Sequence, residues 1–145
     1  MTTRGIAILM GFEALTLAVI SPLHLSGVLG GGTKPFNPTA AGTAEAVICV
    51  VLILGALALL RDGPHARNAA LAAVSFAIVG FLIGLSFTLR GGDALDIAYH
   101  ATMLPLLLLT LVLLARTRQP RPGMSIPHGH NDTSATGPHR GSAPT

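Results

Sequence analysis

Charged residues are scarce in this chain of 145 residues, since only 10% are Asp, Glu, Lys or Arg whereas 50% are hydrophobic. An ordinary soluble domain carries about a quarter charged residues. The composition therefore argues against a water-soluble fold. The length suffices for one compact bundle and a tail, without a second domain.

Tryptophan is absent, Tyr99 is the only tyrosine and Cys49 is the only cysteine. A single cysteine excludes a disulfide within the chain. The belt of Trp and Tyr that commonly marks the two membrane surfaces is missing as well. Arginines and short Gly/Pro connections must set the depth of any membrane helix here.

Motifs of several functional classes are also missing. We find no nucleophile elbow, no dinucleotide-binding fingerprint and no basic-aromatic surface for nucleic acid. The glycines at positions 30–32 are not followed by the Gly-Lys-Ser/Thr ending of a phosphate-binding loop. The net charge of +3 comes from arginines near the ends of apolar segments, so we expect no nucleic-acid partner.

Four apolar segments fill most of the sequence, at about residues 5–25, 44–60, 66–89 and 94–115. Crossing a bilayer takes about 20 helical residues. We therefore predict an all-α, four-helix transmembrane bundle over residues 1–116, with the lipid bilayer as its surroundings. Glu13 interrupts the first segment and argues against a cleaved signal peptide. Residues 117–145 are rich in Pro, Gly, Ser, Thr, His and Arg, which predicts a disordered tail.

Basic residues are distributed unequally between the two ends of these segments. One side carries Arg4, Arg61, Arg67, Arg116, Arg118, Arg121 and Arg140, and the other carries Lys34 and Arg90. Basic residues favour the cytoplasmic side. The distribution predicts a multi-pass protein of the cell (inner) membrane with both termini in the cytoplasm.

Polar residues form one stripe at the start of the fourth segment. The spacing i, i+3, i+7 and i+10 places on one helix face Asp93, Asp96, His100 and Met103. In the predicted topology this stripe begins on the outer side, where His24 ends the first segment and Glu45 starts the second. The sequence therefore predicts a polar site in the outer half of the bundle.

Glu13 is the deepest charged residue of the sequence. A charge at the bilayer centre costs at least about 3 kcal/mol and commonly marks an ion, proton or substrate pathway. If the first and fourth helices are neighbours, we expect Glu13 roughly one helical turn below His100. Glu13 should be neutral if it has no partner, and an ion pair with a close His100 would keep it charged. Glu13, Asp96 and His100 are then the candidates for binding or transporting a proton-coupled small ligand or cation.

Two other functions remain open. Imidazole and carboxylate groups together suit a divalent metal ion, which would be held by His24, Glu45, Asp96 and His100, and the two histidines are alternatively ligands to a haem. With either group, a membrane oxidoreductase is a possible function. In the last interpretation the polar groups only hold the helices together, and the protein is an accessory subunit of a membrane complex.

The third segment contains Gly80-Phe-Leu-Ile-Gly84. This G-x-x-x-G spacing lets two helix backbones approach closely in a membrane. The glycines serve packing within the bundle or form the interface of a homo-oligomer, and we favour packing.

Overall fold

The protein is a bundle of four long helices. The structure, a computed structural model, describes residues 2–30 and 34–117. The helices are α1 (Thr3–Leu25), α2 (Pro38–Arg61), α3 (Ala66–Gly91) and α4 (Ala94–Arg116). Each is long and apolar enough to cross a membrane, so the predicted fold of a multi-pass membrane protein is confirmed. The predicted tail, apart from Thr117, lies outside the described residues.

Helix α2 begins six residues earlier than the sequence predicted, at Pro38 and not near Ala44. The side chain of Asn37 accepts a hydrogen bond from the Ala40 amide at 3.2 Å. Proline suits the first position of a helix, because its missing N–H would have no partner there. The segment that looked like a breaker is therefore a helix start, and α2 gains length enough to span the bilayer comfortably.

The helices pack in the order of the chain. Each contacts its neighbours in sequence, and α1 also contacts α4. The short connections between consecutive helices make neighbours antiparallel. We call the end with the α1–α2 and α3–α4 connections the upper end, and the opposite end, where α1 starts and α4 finishes, the lower end.

Apolar side chains fill the interior and also cover the outside. Met10, Leu17 and Leu107 are fully buried, whereas Ile8 and Leu15 on the outer face of α1 are 72% and 62% exposed. Such large apolar surfaces are rare on soluble monomers. Their position on every helix fits hydrocarbon as the solvent of the bundle.

Small residues bring α3 close to its neighbours. A methyl group added at Gly80 would lie 2.6 Å from Ile48 Cδ1 of α2, and one at Gly84 would lie 2.7 Å from His100 Nε2 of α4. Both glycines thus serve close contacts inside the chain, which supports the packing interpretation. A homo-oligomer through the same glycines stays a prediction.

Arg67 links α3 to α4 at the lower end of the bundle. Its Nε donates to the Leu114 carbonyl at 3.1 Å, and a terminal nitrogen donates to the Ala115 carbonyl at 3.0 Å. The last carbonyls of a helix have no partner within the helix. Arg67 at the start of α3 therefore caps the end of α4.

Candidate functional site

The upper part of α1 lies directly against α2. The Ser21 hydroxyl donates to the Gly42 carbonyl at 2.8 Å. A methyl group on Gly42 would be only 2.8 Å from the Ser21 carbonyl oxygen and 3.0 Å from His24 Cβ. Glycine is therefore required here for the two backbones to approach, and this approach brings the first turns of α2 within reach of His24.

His24 and Glu45 meet across this contact. His24 Nδ1 lies 2.8 Å from Glu45 Oε2, and the two residues are 1% and 5% exposed. The ring of Phe36, in the α1–α2 connection, covers His24 with a centroid separation of 5.9 Å. The pair is thus separated from water by apolar groups.

Asp96 joins the pair from α4. Its Oδ1 lies 3.8 Å from His24 Nε2, and its Oδ2 accepts a hydrogen bond from Thr88 of α3 at 2.9 Å. Asp93, the first residue of the predicted stripe, has a different role, since its side chain accepts from the Leu95 amide and caps α4. The structure therefore brings the predicted Asp96 into the interior and leaves Asp93 at the helix end.

His100 lies one turn further along α4. Its Nδ1 is 2.9 Å from the Asp96 carbonyl oxygen and 3.1 Å from Asp96 Oδ1. Both neighbouring atoms are acceptors, so Nδ1 carries a proton and donates. In the neutral ring, Nε2 is then an acceptor, and it points toward Gly84. All four residues of the predicted metal set thus lie at the upper end, and we call them, together with Thr88, the upper cluster.

Three atoms of the upper cluster are buried and make no hydrogen bond among the described residues: His24 Nε2, Glu45 Oε1 and Asp96 Oδ1. The last of these lies near His100 Nδ1, whose hydrogen bond goes to the Asp96 carbonyl. Buried polar atoms are hydrogen-bonded in the great majority of cases. One ligand atom from each of these three residues lies within 4.8 Å of the other two. His100 is outside this trio and contacts it through Asp96.

The same geometry disfavours a haem. Two axial histidines must face one iron from opposite sides, with the porphyrin between them. Here Asp96 contacts both rings, and the Nε2 atoms of His24 and His100 face Asp96 and Gly84. The trio instead has the composition of a site for a divalent ion.

Glu13 lies away from the upper cluster, which corrects the expectation that it lies one helical turn below His100 and leaves the conditional ion pair without its partner. Its Oε1 accepts a hydrogen bond from Thr110 at 2.6 Å. Thr110 is ten residues beyond His100, which is roughly 15 Å along a helix. The expectation assumed comparable heights for the two helices, whereas in the structure the first turn of α4 lies beside His24 and Thr110 lies beside Glu13. Glu13 is fully buried, and its Oε2 has no partner among the described residues.

Thr16, Tyr99 and Met103 occupy the space between Glu13 and the upper cluster. The Thr16 hydroxyl donates to the Glu13 carbonyl at 2.8 Å and lies 3.1 Å from the Tyr99 hydroxyl. It also lies 3.8 Å from the Met103 sulfur. A line of polar contacts therefore runs along the α1–α4 boundary.

Sequence reasoning missed several residues that hold this arrangement. Thr110, Thr88 and Ser21 donate to Glu13, Asp96 and the Gly42 carbonyl respectively. In the sequence, each of these residues is recognisable only as an isolated hydroxyl residue within an apolar segment. Hydroxyls bond across helices in membranes, but their partners depend on helix register, which the sequence does not give.

Comparison of the chain with protein-family models, curated proteins and solved structures gave no match. The fold and the buried groups define a class of protein all the same: a small four-helix, multi-pass membrane protein with an interior histidine–carboxylate cluster. Any more specific role rests on the geometry of that cluster.

Proposed function

We propose that this membrane protein binds a divalent cation of the zinc class through His24, Glu45 and Asp96. The observation that carries the proposal is that these three buried residues bring ligand atoms within 4.8 Å of one another, and that each of them has a buried polar atom without a hydrogen bond among the described residues. An ion at their centre would give each atom a partner. Burying a charged group without a partner, in contrast, costs several kcal/mol. That cost is about as large as the whole free energy of unfolding of a weakly stable domain.

The pairing of His24 supports this assignment. With Glu45 ionised, His24 donates from Nδ1 to Oε2 and turns the lone pair of Nε2 toward Asp96 Oδ1, 3.8 Å away. Two acceptors then face each other at a distance too long for a hydrogen bond. Zinc bonds to nitrogen and oxygen are about 2.0 to 2.2 Å long, so both atoms fit around one ion with small shifts.

The charge and the number of the proposed ligands also suit a divalent ion. Two ionised carboxylates and a neutral imidazole carry two negative charges, which a divalent cation neutralises. Three protein ligands leave one coordination position for water or a substrate, which is the arrangement of catalytic zinc sites and differs from closed structural ones. From the arginine distribution we predict that this open position lies in the outer half of the membrane, with both termini in the cytoplasm.

Proton exchange is the second candidate function. The observation that favours it is the fully buried carboxylate of Glu13, which has one unpartnered oxygen. A carboxyl group at this depth is suited to take up and release a proton, and the hydroxyls of Thr16 and Tyr99 lie between its helix turn and the upper cluster. In this interpretation a cation or small ligand at the upper cluster moves in exchange for protons.

Metal analysis of the protein purified in detergent tests the cation proposal. We expect bound zinc in about equimolar amount, or uptake of added Co²⁺ with visible absorption bands. Losing a residue that only hydrogen-bonds to a metal ligand lowers metal affinity roughly 10- to 100-fold. Asp96 is a proposed ligand, so Asp96→Asn should lower Co²⁺ affinity by more than that. Asp93→Asn is the matched control, because it removes the same charge three residues away and asparagine caps helices equally well.

The outcomes separate the candidate functions. If no ion binds and both variants behave like the native protein, the cation site is wrong, and an accessory subunit held together by polar contacts becomes the better interpretation. If no ion binds but the protein couples ligand uptake to protons in vesicles, the second candidate stands. Elution as a single monodisperse species confirms that each variant is folded.

A further inference from the structure

A large cavity lies between α2 and α3 and extends to the α1–α2 connection. Its volume is about 880 Å³, within the range of about 300 to 1,000 Å³ typical of small-molecule sites. The chain has five phenylalanines, and four of them line this cavity: Phe36, Phe76, Phe81 and Phe87. Val47 and Ile83, both in membrane-spanning helices, form its edges, so the cavity opens toward lipid.

The cavity ends at polar groups of the upper cluster. Glu45, Thr88 and His100 form part of its wall, and the residues of the described ranges that line the cavity include no lysine or arginine. His100 is only 5% exposed. Its Nδ1 donates to Asp96, while its Nε2 makes no hydrogen bond within the described part of the chain. A nearly buried acceptor is thus presented at the polar end of an aromatic cavity.

Gly84 makes this acceptor accessible. A methyl group at position 84 would lie 2.7 Å from His100 Nε2, so any larger residue would fill the space in front of the nitrogen. Phe81, one turn earlier on α3, packs on the His100 ring with a centroid separation of 5.1 Å. The glycine and the phenylalanine together shape a narrow opening above the imidazole.

We propose that this cavity binds a neutral, lipid-soluble phenol or quinol, with a ring hydroxyl donating to His100 Nε2 and the ring lying among the phenylalanines. The proposal goes beyond cation binding and does not depend on it. An anionic head group, such as a fatty-acid carboxylate or a lipid phosphate, would meet the Glu45 carboxylate and find no cation in the lining. A plain acyl chain would leave His100 Nε2 unpaired, at a cost of about 1 to 3 kcal/mol. Aromatic side chains pack well with aromatic rings.

Nuclear magnetic resonance of the protein in lipid nanodiscs tests the proposal. The histidines are isotopically labelled, a chelator removes any bound metal ion, and decyl-ubiquinol is added as the probe. We expect a saturable change of the His100 Nε2 resonance with the Nδ1-protonated tautomer retained. Decyl-ubiquinone, which has no ring hydroxyl pair to donate, should bind up to about tenfold more weakly, the equivalent of one hydrogen bond of about 1.4 kcal/mol.

Two leucine substitutions provide the matched pair. Gly84→Leu blocks the space in front of His100 and should abolish the response. Gly11→Leu makes the same change on α1 at a position with no neighbouring atom within 4 Å, and it should respond like the native protein. An unchanged resonance in the native protein, an equal response of Gly84→Leu, or equally tight binding of decanoate would overturn the proposal. Because the chelator is present throughout, failure of the cation site leaves this result unaffected.

Discussion

Thr110 places its hydroxyl 2.6 Å from Glu13 Oε1, and it thereby provides a partner for the most deeply placed carboxyl group of the bundle. The same hydroxyl lies 3.1 Å from the Leu106 carbonyl of its own helix. It has one hydrogen to donate, so the two acceptors compete for it. The α1–α4 boundary therefore depends on a single hydroxyl at this depth.

Removal of that hydroxyl should destabilise the protein. Thr110→Val leaves Glu13 Oε1 buried without a partner, and we expect a loss of about 1 to 3 kcal/mol in the free energy of unfolding, measured by titration with SDS. Thr102→Val is the control, because Thr102 is exposed on the same helix and bonds only to its own backbone. Replacing both partners, with Glu13→Leu and Thr110→Val together, should recover most of the loss. Equal effects of Thr110→Val and Thr102→Val would contradict the assignment.

Glu13 itself can be tested as a proton-binding group. Glu13→Gln keeps the shape and an oxygen to accept from Thr110, so stability should stay within about 1 kcal/mol. A carboxyl-stretch band that changes in infrared spectra across a pH titration should be present in the native protein and absent in this variant. If the spectra of the two proteins are the same, Glu13 is a packing residue and proton exchange loses its support.

Gly42 should be among the least replaceable residues. Gly42→Ala introduces a methyl group 2.8 Å from the Ser21 carbonyl oxygen, so α1 and α2 must separate and His24 must move away from Glu45. We expect a loss of about 1 to 3 kcal/mol, typical of overpacking, together with weaker Co²⁺ binding. Gly11→Ala has open space around it and should be neutral or stabilising by up to about 1 kcal/mol. Normal Co²⁺ affinity in Gly42→Ala would show that the α1–α2 approach does not position the cluster.

Arg67 should contribute more to the free energy of unfolding than Arg61. Arg67→Gln removes two charge-assisted hydrogen bonds to the carbonyls at the end of α4, which predicts a loss of about 1.5 to 3 kcal/mol in unfolding free energy. Arg61→Gln removes the same charge from the end of α2, where no such bond is present among the described residues. Its effect should stay within about 0.5 kcal/mol. A larger loss for Arg61→Gln would reverse this ranking.

The predicted orientation can be tested at two exposed positions. In a protein with Cys49 replaced by alanine, Ser26→Cys lies at the upper end and Gly63→Cys in the α2–α3 turn at the lower end. The positive-inside rule predicts that a membrane-impermeant thiol reagent added to intact cells labels only Ser26→Cys. Labelling of only Gly63→Cys would invert the topology.

The sequence was sufficient to predict the four helices, because long apolar segments leave the backbone no other way to satisfy its hydrogen bonds in lipid. It was also sufficient to bring together His24, Glu45, Asp96 and His100, since all lie at helix ends that alternate strictly between the two sides. The start of α2 was misplaced, because Pro38 was interpreted as a breaker although Asn37 caps a helix there.

Depth within the bundle was harder to predict than position at its ends. Glu13 was placed near His100 from helix lengths alone, yet its partner is Thr110. The relative height of two helices depends on side chains that fit together, and here Asp96 lies beside His24 while Thr110 lies beside Glu13. Such contacts between residues far apart in sequence have no local signature.

The upper cluster also has an order of assembly. His24 and Glu45 belong to the first two helices, whereas Asp96 belongs to the last. A membrane protein is synthesised from its N-terminus, so the histidine and the glutamate are joined long before the aspartate arrives with α4. The three side chains are therefore brought together only in a chain whose four helices have all been inserted, and any property that needs all three arises at the final step of insertion.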